Sequence, residues 1–138
     1  MLLAQIHATA ASAWLGVVAA ESVLEHWARD EPSGRLVAVV HGWIDLLFEG
    51  PLVAIVLASG VVLLVEVWPA KPMLIAKVVC GLVAVIANVI CIPLVRARMK
   101  QSDNVRIRAL TRYIKLTGLA IPFGLGALVL GLSGVALR

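Results

Sequence analysis

The sequence predicts an all-α membrane protein, a single domain of four transmembrane helices packed as an antiparallel bundle. Three observations lead there. Of 138 residues, 62% are hydrophobic and 14% charged, and the mean hydropathy of +1.02 lies well above that of soluble domains. A soluble chain of this size buries only roughly two thirds of its unfolded surface, too little to hide so much apolar area. Uncharged stretches approach the ~20 residues that cross a bilayer core, and short polar segments divide them. A soluble enzyme, a disordered tail and a secreted disulfide scaffold are thereby excluded. The net charge of +4 does not point to nucleic acid, because the basic residues flank the spans, where cytoplasmic loops collect them.

The first helix is expected from about Leu2 to Trp27, since residues 1 to 20 carry no charge. No basic segment precedes its apolar run, so it is read as a span and not a cleaved signal. Arg29 to Gly34 reads as a polar turn. The second helix is expected from Arg35 to Trp68, with a bend or break at Gly50-Pro51, where proline removes a backbone donor. After Pro69 to Pro72, the third helix runs from Met73 to Arg98 and contains Pro93. Met99 to Thr111 is polar and basic, in part an amphipathic helix. The fourth helix covers Arg112 to Leu137, where Gly118, Gly124, Gly126, Gly131 and Gly134 allow close helix approach. Cys80 and Cys91 share one span about 16 Å apart, too far for a disulfide.

The third connection holds Arg96, Arg98, Lys100, Arg106, Arg108, Arg112 and Lys115, and the first holds Arg29 and Arg35. Lys71 and Arg138 are the basic residues opposite. This asymmetry places both termini away from the cytoplasm in a bacterial inner membrane.

Ionisable residues within a span are functional candidates because burying them in lipid is expensive. His7, Trp14, Glu21 and Glu25 recur on one face of the first helix, and His41, Asp45 and Glu49 on one face of the second. A hairpin between these helices sets Glu25 level with His41 and Glu21 with Asp45. Such a group of carboxylates and imidazole suits iron, zinc or manganese. Structural pairing with Arg29, Arg35 or Arg112 and a proton path are the other readings. Copper is less well served, because the sulfur ligands are scattered. Toward the opposite membrane face lie His7 and Lys77, and on the third helix Lys77, Asn88 and Cys91 share a face.

Gln5-Ile6-His7 with Ala13-Trp14-Leu15-Gly16 resembles the first helix of the HemJ-type bacterial protoporphyrinogen oxidases and their copper-resistance D relatives. Ala76-Lys77 followed by Asn88 and Cys91, Pro51, and Arg108-Ala109-Leu110 extend the resemblance over most of the chain. It implies a four-helix bundle holding haem b, with His7 and Lys77 as the functional pair and Trp14 and Asn88 beside the cofactor. The chain departs from the family where it has Asn88 in place of a histidine and Glu21 and Glu25 in place of apolar residues. The expected function is membrane redox chemistry on a hydrophobic donor such as a porphyrinogen or quinol. His7 would ligate iron, Lys77 would orient a carboxylate, and Glu21, Glu25, His41 and Asp45 would carry protons. A membrane metal-binding or metal-transport protein using Glu21, Glu25, His41 and Asp45 is the alternative, and an accessory subunit of a membrane complex a third. A chain this short is also expected to pair with itself, since one bundle encloses little volume.

Overall fold

The computed structural model describes residues 1–27 and 31–136 and forms four rods, each long and apolar enough to cross a membrane. The first rod is α1, Leu2–Trp27. The second joins α2, Glu31–Ile44, through a π-helical turn at Asp45–Glu49 to α3, Gly50–Glu66. The third is α4, Pro72–Met99, and the fourth combines α5, Asn104–Thr117, with α6, Ala120–Ala136. No strand occurs among the described residues.

Local chemistry accounts for the ends of these elements. Pro72 starts α4, where its missing N–H would have had no helical partner, and Lys71 before it is extended, as a residue preceding proline prefers. The Asp103 carboxylate accepts from the Val105 N–H at 3.0 Å and caps α5. That cap starts the fourth rod at Asn104, two turns before Arg112, where hydropathy alone would start it. The extra turns are polar and basic, so they leave no apolar signal. The rod is interrupted at Gly118 and Leu119, just before Pro122.

The second rod begins at Glu31, ahead of the expected Arg35, with Pro32 tolerated in its first turn. Arg29 and Asp30 of the expected turn lie outside the described residues, as do Leu137 and Arg138. Gly50-Pro51 does not break this rod. The Gly50 N–H donates to the carbonyl of Asp45, five residues back, so the helix widens by one residue and continues. Pro93 likewise lies within an unbroken α4.

The rods form a ring. The second packs on the first and third, and the fourth closes between the third and the first. An apolar layer of Trp14, Val18, Val53, Ala84, Val85 and Ala120 fills the middle. The pattern is inverted relative to a soluble protein. Leu46, Leu47 and Phe48 are more than half exposed, while Asp45 and Glu49 on either side of them are 2% and 1% exposed. An apolar exterior around charged interior positions is what lipid as the outer solvent requires.

Candidate metal centre

The sequence stripes bring their polar residues together at one end of the ring. On α1 the buried positions Ala10, Trp14, Val18, Glu21 and Glu25 run down one face, ending in two carboxylates beyond the apolar layer. Across the hairpin, His41, Asp45 and Glu49 line the second rod. A straight α-helix drifts about 40° for every four-residue step, which would swing Glu49 away from His41. The wider π turn removes that drift, and all three face inward. The third rod contributes Asn88, Cys91 and Arg98 from its own buried face.

Glu25 organises this group. Arg98 donates through Nη1 to Oε2 at 2.7 Å and through Nη2 to Oε1 at 2.5 Å, a bidentate pair. The His41 Nδ1–H donates to Oε1 of the same carboxylate at 2.7 Å. In a neutral imidazole that donates through Nδ1, Nε2 carries the lone pair. It faces Glu21 Oε2 at 3.6 Å, Asp45 Oδ1 at 3.8 Å and Cys91 Sγ at 4.0 Å. One ligand atom from each of Glu21, His41 and Asp45 can be chosen so that all three lie within 4.8 Å of one another. Asn88 Nδ2 donates to Glu49 Oε2 at 2.5 Å, and Glu49 in turn faces both Glu21 and Asp45.

Charge in this site is not balanced by side chains alone. Arg98 matches Glu25, and among the described residues no lysine or arginine pairs with Glu21, Asp45 or Glu49, which leaves His41 as the one further basic group beside Glu21 and Asp45. Glu21 Oε1 and both carboxylate oxygens of Asp45 are buried without a hydrogen-bond partner among the described residues. Burying such groups unpaired costs several kcal/mol, roughly, unless protons or a cation meet them. A cavity of about 30 Å³ lies beside Glu21 and is lined also by Glu25, His41, Glu49, Asn88 and Cys91. It has room for an ion with a water but not for a macrocycle.

No family model, curated protein or solved structure matches the chain.

The other expected grouping is assembled differently. His7 sits against α3, where Ser59 Oγ donates to the Ile55 carbonyl at 2.6 Å and accepts from His7 Nδ1 at 2.9 Å. Gly60 makes room for the ring, since a Cβ there would lie 3.2 Å from His7 Cε1. Lys77 lies over Gly131 of α6. Asn88 and Cys91 are not beside this pair, because eleven residues of helix carry Asn88 about 16 Å from Lys77 and into contact with Glu49. Trp14 is 3% exposed within the apolar layer between the two groupings.

Arg98 was not singled out by sequence reasoning as a member of the site. It is 5% exposed, although it falls in the basic connection that hydropathy sets at the membrane surface. Its signal was the spacing Ala84, Asn88, Cys91, Val95, Arg98, a stripe of fours and threes that runs on past the apolar segment. Arg35 and Arg112, expected as partners of the carboxylates, are exposed, and Arg29 lies outside the described residues.

Proposed function

We propose that this chain is an integral membrane metal-binding protein whose Glu21, His41 and Asp45 take a divalent first-row transition metal. The observation that carries this reading is the orientation of His41. Glu25 holds its Nδ1, and its Nε2 is turned toward Glu21 Oε2 and toward Asp45 Oδ1, the latter without a hydrogen-bond partner among the described residues, like the other Glu21 oxygen. A histidine whose second nitrogen is fixed by a carboxylate is the usual supporting arrangement of a metal-bound imidazole. Metal–ligand bonds near 2.0–2.2 Å place ligand atoms about 3 to 4 Å apart, close to the separations here. Nitrogen and oxygen donors favour iron, manganese or zinc. A divalent ion would also neutralise most of the carboxylate charge that Arg98 leaves unmatched.

A second reading, haem-dependent redox chemistry, is favoured by the environment of His7. Its Nδ1 is engaged by a serine hydroxyl already committed to a backbone carbonyl, so Nε2 is the nitrogen that would hold haem iron. In that reading Lys77 holds a carboxylate of the cofactor or donor, and bound haem supplies one-electron chemistry. Asn88 contributes nothing there, because it lies about 16 Å along the helix from Lys77 with its Nδ2 donating to Glu49. The bacterial inner membrane, with both termini away from the cytoplasm, is the proposed setting for either reading.

One sample separates them. Metal analysis of the detergent-purified protein, run beside absorption spectra before and after reduction, should give about one divalent metal per chain and no Soret band. Replacing Glu21 and His41 together by Ala should abolish metal binding while helical content survives. Retention of metal by that variant, or failure of the native chain to take up iron, manganese or zinc, overturns the metal reading. A Soret band that disappears in His7→Ala establishes the second.

A further inference from the structure

A larger cavity, about 540 Å³, lies behind the Glu25–Arg98 pair, between α2, the end of α4 and the start of α5. Its volume is within the range of roughly 300–1,000 Å³ typical of ligand pockets. Four cations line it: Arg35, Arg98, Lys100 and Arg108. Among the described residues the one carboxylate in the wall, Glu25, is already occupied by Arg98 and His41. Arg35, Lys100 and Arg108 have no ion-pair partner among the described residues, and Arg98 Nε is buried without a hydrogen-bond acceptor. Val39 and Ile107 supply an apolar part of the same wall.

Cations scattered over a membrane-facing connection are ordinary, but here three exposed ones without an ion-pair partner among the described residues converge on one half-open cavity that also has an apolar side. We propose that this cavity is a binding site for a phosphate-bearing ligand. The arginines would hold the phosphate, since guanidinium forks match its oxygens, and Val39 with Ile107 would cover an attached apolar body. The site stands at the level where the helices leave the apolar region. Basic pockets between membrane helices at that depth suit the headgroup of an anionic lipid, and a free phosphate offers the same oxygens. The site is independent of the metal reading, because Arg35, Lys100 and Arg108 touch none of the proposed ligands.

Native mass spectrometry of the detergent-solubilised full chain with phosphatidylglycerol and with phosphatidylcholine tests this. The native chain should retain phosphatidylglycerol about tenfold or more over phosphatidylcholine, and the Arg35→Gln/Arg108→Gln variant should lose that preference. An Arg106→Gln/Arg112→Gln variant removes the same charge outside the cavity and should keep it. Displacement of the lipid by millimolar inorganic phosphate identifies the phosphate group alone as the determinant. Resistance to displacement identifies the lipid headgroup with its chains. Absence of a preference in the native chain, its survival in Arg35→Gln/Arg108→Gln, or equal loss in both variants overturns the proposal.

Discussion

At Arg98 two N–H groups meet both oxygens of Glu25, and the same carboxylate receives the His41 proton. Removing the guanidinium leaves a buried carboxylate near that of Glu21, with His41 still tethered to it. Arg98→Met should therefore destabilise the chain by about 3–5 kcal/mol, the usual consequence of stripping one partner from a buried pair. Adding Glu25→Gln should recover most of that loss, because the amide oxygen still accepts from His41 Nδ1 without carrying charge. Equilibrium unfolding in detergent of the two single variants and the double variant checks both statements. Recovery by the double variant would locate the penalty in the unmatched charge and not in lost packing of the arginine stem.

Among the elements, the π turn at Asp45–Glu49 has the clearest effect on the site. Pro51 has no N–H to return to Leu47, and the Gly50 N–H reaches the Asp45 carbonyl, so the chain winds wider just where Asp45 and Glu49 must both face inward. Such turns recur at functional sites because they re-aim side chains without ending a helix. Restoring the donor with Pro51→Ala should let the rod relax toward regular α-helix and swing Glu49 off the cluster. The expected result is unchanged or raised thermal stability with metal affinity weakened by about tenfold, as for loss of a supporting contact. Metal titration of the purified variant measures it, and unaltered affinity would show that the turn is not needed to shape the centre.

For the whole molecule, the inverted distribution of polarity has a topological consequence. Apolar side chains such as Leu46, Phe48, Val61 and Val129 face outward, while most charged groups either collect inside or lie at the end that carries Lys100, Arg106, Arg108 and Arg112, with Glu66 and Lys71 at the other end. With four spans and that asymmetry, both termini should face away from the cytoplasm. Burial of Arg98 removes one cation from the tally without reversing it. A C-terminal alkaline phosphatase fusion should be active in a bacterial host and a fusion in the 100–103 connection inactive. The opposite pattern would invert the membrane orientation.

Composition and periodicity alone determine that the chain makes four membrane-length helices, and that Glu21, Glu25, His41 and Asp45 occupy inward stripes, because lipid tolerates charge only on a face turned away from it. The hairpin arithmetic that pairs Glu25 with His41 rests on that same periodicity. Tertiary structure decides what meets those stripes. Arg98 could not be matched to Glu25 from sequence, since 73 residues separate them and Arg98 resembles its neighbours in a basic connection. Asn88 reads as a companion of Lys77 on one helix face, yet it is drawn to Glu49 of another helix, because distance along the helix axis separates it from Lys77 while the ring of helices brings Glu49 alongside. Periodicity specifies the face a side chain occupies. The height at which helices pack specifies its partner, and that depends on the π turn, the caps and the close approaches of the folded bundle.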